Sequence, residues 1–259
     1  MIKLAANLSM LFTELAFLER FDAAAKAGFT GVEFLFPYAF EATEIAGKLR
    51  ANRLEMVLHN LPAGDWTAGE RGIACHPDRI AEFEQGVEQA IAYAKVLGTR
   101  QLNCLAGIRP TQASEDQAHA TLVRNLRFAA ERLATEGMRL LIEPINTFDV
   151  PGFFLSGTQQ ARALIAATGA DNLFVQYDIY HMQRMEGELA ATLQTNLAAI
   201  KHIQLADNPG RHEPGTGEIN FRYLFDWLQK IGYDGWIGCE YKPAATTAGG
   251  LHWIAEHGV

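Results

Sequence analysis

The sequence has few cysteines, no long apolar run and no excess of basic residues. Its three cysteines, Cys75, Cys104 and Cys239, are far apart and form neither a CxxC pair nor a disulfide framework. No apolar run reaches the roughly 18 residues of a membrane-spanning helix. Residues 1–12 also lack the apolar core of a signal peptide. These absences predict a cytoplasmic protein with reduced thiols and no membrane partner.

The charge balance also limits the partners of the chain. The net charge of the 259 residues is −8 at pH 7. Nucleic acids and anionic membranes are bound by basic faces, so we expect neither as a partner. A small anionic substrate is compatible with this net charge, because one cation or metal ion can bind its carboxylate. The sequence is compatible with a homo-oligomer.

Short apolar segments alternate with longer amphipathic segments along the whole chain. The segments that indicate strands are 2–7, 31–36, 55–60, 100–105, 139–144, 173–178, 201–206 and 236–241. The segments that indicate helices are 14–28, 41–51, 79–97, 115–136, 158–168, 187–199, 221–231 and 246–256. The strand segments are apolar at nearly every position, which is typical of parallel strands that are buried on both faces.

Eight strand–helix units predict a single (β/α)8 TIM barrel over residues 1–259. The alternative is an open doubly wound sheet, which normally has a glycine-rich turn after its first strand. Residues 8–15 contain no glycine, which favours the barrel. The two longest connections, 61–77 and 146–157, follow predicted strands and are candidates for lids or binding loops.

Polar side chains close four consecutive predicted strands, from the fifth to the eighth. They are Glu143, Asp178, Gln204 and Glu240, spaced by about one βα unit each. Three carboxylates at one rim would repel one another unless a divalent cation lay between them. Carboxylate and amide oxygens form a hard site, which favours Mg²⁺, with Mn²⁺ as the alternative. A single acid after a strand is more often a cap or a surface residue, so the prediction rests on the set.

Two histidines are candidates for substrate binding. His181 follows Asp178 in DIYH, where a strand turns into a helix, and it can reach the same rim or simply cap the helix. His59 ends the third strand and either faces the rim or packs in the wall. His202 lies inside the seventh strand and is expected in the core. Glu33 ends the second strand, where substrate contact and a structural role are both open.

Long motifs carry a resemblance to a known family. They are ANLSMLF (6–12), GVEFLFPY (31–38), LHNLPAGDWTAGERGIACHP (58–77), LIEPIN (141–146), QYDIYHMQRMEGEL (176–189), ADNPGRHEPGTGEINF (206–221) and GCEYKP (238–243). Across essentially the whole chain they resemble the hydroxypyruvate isomerase family, which belongs to the xylose isomerase-like barrels. The resemblance implies that Glu143 and Glu240 are the catalytic pair, and that Asp178 and Gln204 complete the metal site. Related sugar-epimerase barrels usually have a histidine where Gln204 stands.

The activity implied by the resemblance converts a small hydroxy-keto acid, hydroxypyruvate, into tartronate semialdehyde through an enediolate. Arg71, Arg211 and Lys242 are candidates to bind the substrate carboxylate, although each could be a solvated surface cation. The alternatives are a 2-oxo-tetronate isomerase, a related sugar-acid isomerase or epimerase, and a barrel that binds a sugar acid without turnover. DNA-repair endonucleases of this fold have several histidine metal ligands and a basic face, which this sequence lacks.

Overall fold

The chain forms a closed barrel of eight parallel strands in chain order, with β1 paired to β8. The structure is a computed structural model that describes residues 2–259, so Met1, the first residue of the predicted domain, lies outside the described residues. The strands are β1 (Lys3–Asn7), β2 (Gly31–Glu33), β3 (Glu55–Asn60), β4 (Gln101–Cys104), β5 (Arg139–Ile142), β6 (Leu173–Asp178), β7 (Ile200–Leu205) and β8 (Trp236–Cys239). The predicted barrel is confirmed, and the open sheet was the wrong alternative.

Helices surround the barrel and connect its strands. They are α1 (Arg20–Lys26), α2 (Ala42–Asn52), α3 (Ile80–Leu97), α4 (Glu115–Ala134), α5 (Thr158–Thr168), α6 (Ile179–Met185), α7 (Leu189–Asn196), α8 (Phe221–Lys230), α9 (Thr247–Gly250) and α10 (His252–His257). Helix α4 shows how the sequence begins a helix. The Ser114 side chain accepts a hydrogen bond from the backbone of Gln117, and the Gln117 side chain accepts one from the backbone of Ser114.

The helix predictions were wrong in three places. The predicted helix 14–28 is a 3-10 turn, Phe17–Glu19, followed by the shorter α1. Before the predicted helix 187–199, the structure has a further helix, α6, for which no segment was predicted. Helix α6 begins directly after Asp178, whose side chain caps it. The predicted helix 246–256 is divided into α9 and α10 next to two glycines, which are poor helix formers.

The apolar core lies mainly between the strands and the surrounding helices. A second, smaller cluster consists of Ala5, Val57, Leu58 and Leu141, which come from β1, β3 and β5. Strands that are not neighbours in the sheet can meet only inside the barrel, so this cluster fills part of the interior. Within residues 2–259, no helix is long and apolar enough to cross a membrane.

Candidate active site

The carboxyl ends of the strands enclose a cavity of about 920 Å³. Its walls include Glu143, His181, Arg211 and Glu240, four of the residues that the sequence analysis proposed. Each of these side chains follows a different strand, from β5 to β8. The cavity therefore lies at the face where the active sites of barrel enzymes are found.

Three buried side chains beside this cavity could hold a metal ion. Glu143, Asp178 and His181 each offer one ligand atom, and these atoms lie within 4.8 Å of one another. Asp178 Oδ1 accepts a hydrogen bond from the backbone of Tyr180 at 2.8 Å, whereas Asp178 Oδ2 is buried and has no hydrogen-bond partner. A buried carboxylate oxygen without a partner is costly unless a cation satisfies it. The group therefore fits a divalent metal.

Arg211 connects Glu240 to this group. Its Nη2 donates a hydrogen bond to Glu240 Oε1 at 2.7 Å and lies 3.6 Å from Asp178 Oδ2. Among the described residues, the group that lies within 4.8 Å does not extend to Glu240. The structure thus brings Glu143 and Asp178 together directly, and Glu240 joins them through the guanidinium, which offsets part of their negative charge.

The Gln204 amide lies between Glu240 and Glu33, and both of its polar atoms already have partners. Its Nε2 donates to Glu240 Oε2 at 2.6 Å and to Glu33 Oε1 at 2.7 Å. Its Oε1 accepts a hydrogen bond from Gln176 Nε2 at 2.7 Å. An amide oxygen has a second lone pair, so this position keeps one site for a cation.

Amide side chains that the sequence analysis did not single out hold the two glutamates in place. Asn103 Nδ2 and Gln176 Nε2 donate to Glu143 Oε2 at 3.0 and 2.9 Å. Asn7 Nδ2 donates to Glu240 Oε2 at 2.8 Å. Each amide is a buried polar residue next to apolar residues of β4, β6 or β1, and that position is the sequence signal by which they could have been found.

Glu33 has a structural position beneath the cavity. It is completely buried, and its carboxylate accepts hydrogen bonds from Asn7, His202 and Gln204. A Cβ atom at Gly238 would lie 2.3 Å from Glu33 Oε1, so β8 needs a glycine there. His202 is buried, as expected of a core residue, with its Nε2 2.6 Å from Glu33 Oε2.

Burial makes these acids hold their protons more tightly. It raises the pKa of Glu143 well above its ordinary value, and the charges of Glu240 and Asp178 raise it further. Burial also raises the pKa of Asp178 to about 6 and that of Glu240 to about 8, although the nearby Arg211 opposes both shifts. A divalent cation at this site would compete with protons for the carboxylates.

The two other predicted cations lie at the mouth of the cavity. Arg71 lines it from the connection 61–77, with its guanidinium 4.2 Å from the centre of the Trp66 ring. Its Nη1 donates to the backbone oxygens of Trp66 and Glu70 at 3.1 and 2.7 Å. Lys242 lines the cavity next to Glu240 and is exposed.

Among the five predicted substrate-binding residues, His59 is the one that does not line the cavity. It is completely buried, its Nδ1 lies 3.2 Å from the backbone oxygen of Asn60, and its ring packs edge-on against Tyr38. Successive side chains of a strand point to opposite faces, so its neighbour Asn60 lines the cavity instead. Of the two positions that the sequence left open for His59, the structure shows the one in the wall. Burial also lowers the pKa of His59 to about 4.

The fold and the acidic site together define a class of protein. The family model of the xylose isomerase-like TIM barrels matches residues 21–257, and the chain belongs to this family. A crystal structure described as an AP endonuclease, family 2, from Brucella melitensis superposes with a TM-score of 0.96 at 45% sequence identity, covering 99% of both chains.

Curated relatives narrow the class to isomerases. Hydroxypyruvate isomerase from Escherichia coli (strain K12) is 58% identical over 98% of both chains. The 2-oxo-tetronate isomerase from Cupriavidus necator is 49% identical over 99% of both chains. The chain is therefore an enzyme of the isomerase class, similar to hydroxypyruvate isomerase.

Proposed function

We propose that the chain interconverts hydroxypyruvate and tartronate semialdehyde by proton transfer through an enediolate. The observation that carries the proposal is the buried pair Glu143 and Asp178, with one unpartnered oxygen on Asp178, beside a cavity that Glu143 and Glu240 line. The identity to hydroxypyruvate isomerase supports the substrate. We retain a small-molecule acid as the partner and a cytoplasmic location as parts of the proposal.

The reaction moves one hydrogen between neighbouring carbons. A C–H bond of the hydroxymethyl carbon breaks, its electron pair forms the enediolate, and a proton then adds to the former carbonyl carbon. The hydroxyl oxygen becomes the aldehyde oxygen as it loses its proton, and the former carbonyl oxygen gains one. The step needs no oxidant, because the oxidation of one carbon balances the reduction of the other.

Glu143 and Glu240 are the proposed proton carriers. They follow β5 and β8, so they can approach the substrate from different sides of the barrel mouth. A general acid or base works best when its pKa lies near the working pH, and burial moves the pKa of both glutamates upward from the acidic range. Amide donors on both glutamates restrict the movement of their carboxylates.

Glu143, Asp178, Gln204 and Glu240 are the residues that we propose to hold Mg²⁺, with Mn²⁺ as the alternative. Their oxygens match the preference of hard divalent cations. When bound, the cation supplies positive charge that stabilises the negative oxygens of an enediolate. For the substrate carboxylate, Arg211 is the favoured partner because its guanidinium lies against Glu240 and Asp178. Lys242 is exposed, and Arg71 Nη1 already donates to two backbone oxygens.

A 2-oxo-tetronate isomerase is the second candidate function. The cavity of about 920 Å³ is much larger than a three-carbon acid requires, and the 49% identical relative acts on the longer substrate by name. Arg71 and Lys242, at the mouth of the cavity, could donate hydrogen bonds to the terminal hydroxyl of a four-carbon acid.

The experiment is a comparison of kcat/KM for hydroxypyruvate and for 2-oxo-tetronates, with Mg²⁺, with Mn²⁺ and after removal of metal by EDTA. We expect turnover of hydroxypyruvate that EDTA abolishes and Mg²⁺ restores. A higher kcat/KM for a 2-oxo-tetronate would select the second candidate. Binding of these acids without turnover of any of them would instead indicate a sugar-acid-binding barrel.

A further inference from the structure

The hydrogen-bonding state of His181 follows from its neighbour Asn146, which is completely buried. Asn146 Oδ1 accepts hydrogen bonds from the backbone N–H groups of Phe148 and Asp149 at 3.1 and 2.8 Å. Backbone N–H groups can only donate, so the oxygen of this amide must face them. The amide nitrogen is thereby fixed on the opposite side, toward His181.

The amide nitrogen then determines which ring nitrogen of His181 carries hydrogen. Asn146 Nδ2 lies 2.6 Å from His181 Nδ1 and 3.1 Å from Asp149 Oδ2. An NH₂ group has only hydrogens to offer, so His181 Nδ1 must accept and cannot carry a hydrogen. An imidazole ring has at least one N–H, so the hydrogen of His181 is on Nε2.

The surroundings of Nε2 support the same assignment independently. Nε2 lies 3.4 Å from Asp178 Oδ2 and 3.7 Å from Glu143 Oε1, and an N–H is attracted by two carboxylate oxygens where a lone pair would be repelled. Arg211 Nη2 lies 3.5 Å away, but it already donates to Glu240 Oε1 at the shorter distance of 2.7 Å.

We propose that Asn146 is a positioning residue that holds His181 in its Nε2–H form, so that His181 donates a hydrogen bond to a substrate oxygen and does not ligate the metal. A nitrogen that carries hydrogen has no lone pair for a cation, so Glu143 and Asp178 supply the metal-binding atoms of their group of three. The part that concerns substrate rests on the proposed function, whereas the tautomer and the exclusion from the metal site do not.

The first test is a two-bond ¹H–¹⁵N NMR spectrum of the full chain with ¹⁵N-labelled histidine, recorded without metal and with Mg²⁺. The His181 signals are identified by their loss in His181→Asn. We expect hydrogen on Nε2 and none on Nδ1 in both states. Hydrogen on Nδ1, or loss of the Nε2 hydrogen when Mg²⁺ is added, overturns the proposal. This result stands even if no substrate is turned over.

Asn146→Asp is the variant that should invert the tautomer. A carboxylate still accepts from the two backbone N–H groups but turns an acceptor toward Nδ1, so the hydrogen should move to that nitrogen. The matched control is Asp149→Asn, which changes the other partner of Asn146 Nδ2 and leaves the amide fixed by the backbone. We expect the wild-type tautomer in this control. An unchanged tautomer in Asn146→Asp contradicts the proposal, and if that variant does not fold, the wild-type spectrum still decides.

Kinetics test the role of the hydrogen bond in catalysis. Loss of one donor that stabilises developing oxyanion charge lowers kcat by about 10²–10³-fold. We expect a loss of this size in Asn146→Asp, with a much smaller change in KM. Unchanged kcat in a variant whose tautomer is inverted overturns the catalytic role of the donor. Absence of turnover in the wild type contradicts the proposed function and leaves the tautomer assignment intact.

Discussion

At the scale of single residues, three buried acids, Glu33, Asp178 and Glu143, differ in their hydrogen-bond partners. Glu33 has three side-chain donors and lies beneath the cavity, whereas Asp178 Oδ2 has none. Glu143 accepts from two amides through one oxygen, and its other oxygen faces His181 at 3.7 Å. A satisfied carboxylate contributes to structure, and one with a free oxygen remains available for a cation or a proton.

Replacing the Glu143 carboxylate tests this distinction. Glu143→Gln keeps the size and most hydrogen bonds of the side chain but removes its ability to take up a proton. We expect kcat to fall by about 10²–10⁴-fold, the typical contribution of a general acid or base. The measurement is steady-state turnover of hydroxypyruvate with Mg²⁺, with circular dichroism as a check of the fold.

Glu131→Gln is the matched control for this variant, because Glu131 is an exposed residue of α4 outside the cavity. Its kcat should equal that of the wild type. Full activity of Glu143→Gln would remove Glu143 from the proposed proton transfer.

The acids of the site could be predicted because charge is conspicuous at the end of an apolar strand. Glu143, Asp178 and Glu240 were proposed in this way, and the structure brings Glu143 and Asp178 together. The direction of a side chain at a strand end was harder to predict, since a shift of one residue exchanges the faces, as His59 and Asn60 illustrate. The tautomer of His181 depends on Asn146, which is distant in sequence, so no local pattern could reveal it.

At the scale of elements, the connection 61–77 is anchored at one end of its glycine-rich part and open at the other. Gly72 has φ +116°, and a Cβ atom there would lie 2.4 Å from the backbone oxygen of Leu105. Gly69 has φ +94°, with nothing within 4 Å of the corresponding position. The segment around Gly72 therefore packs against the connection after β4, whereas Gly69 faces open space.

These two glycines form a matched pair of tests. Alanine at either position has a backbone strain of about 1–3 kcal/mol. Gly72→Ala adds a steric overlap with the backbone, which costs about another 1–3 kcal/mol. We expect a larger loss in the free energy of unfolding for Gly72→Ala, together with a higher KM because Arg71 is displaced. Urea denaturation and substrate titration measure both, and equal losses for the two variants would show that the close approach to Leu105 is unimportant.

The strands were the elements that could be predicted best from the sequence. Buried parallel strands have long apolar runs. Seven of the eight predicted segments contain a whole strand of the barrel, and β7 begins one residue before its segment, 201–206. Helix α6 was missed because it has only seven residues and directly follows a strand, which leaves no room for an amphipathic pattern. Its start depends on the Asp178 cap, so one oxygen of this side chain begins a helix and the other belongs to the candidate metal site.

At the scale of the whole molecule, the buried acids link stability to pH and to metal. The folded protein holds the protons of Asp178 and Glu240 more tightly than the unfolded chain does, because burial raises their pKa values to about 6 and about 8. Their contribution to stability is present below the pKa of an unfolded acid and is lost as the pH rises through these two values. His59 and His181 act in the opposite direction, since burial lowers their pKa values.

The Tm values with Mg²⁺ and with EDTA are compared at each pH. The histidines contribute to the pH dependence of stability in both samples, so their contribution cancels in the difference. Mg²⁺ binds the ionised carboxylates, so we expect the increase in Tm with Mg²⁺ to be larger at pH 8 than at pH 5. A Mg²⁺ concentration of 100 times Kd corresponds to about 2.7 kcal/mol of stabilisation. Thermal unfolding followed by circular dichroism measures the effect.

Two aspartates test this prediction, one in β6 and a control in the turn before it. Asp178→Asn should abolish most of the increase, whereas Asp171→Asn, exposed at the other end of the barrel, should preserve it. An increase in Tm that is equal at pH 5 and pH 8, or that survives in Asp178→Asn, would contradict a metal site built on these acids.

Proton NMR of hydroxypyruvate incubated in D₂O with the wild-type chain and Mg²⁺ tests the proposed proton transfer most directly. If two different glutamates remove and deliver the proton, tartronate semialdehyde should form with solvent deuterium on the carbon that was the carbonyl. Tartronate semialdehyde that retains the original hydrogen at this carbon would contradict transfer by two glutamates, because a single base or a hydride shift would then carry that hydrogen. Absence of both product and exchange would contradict the isomerase proposal.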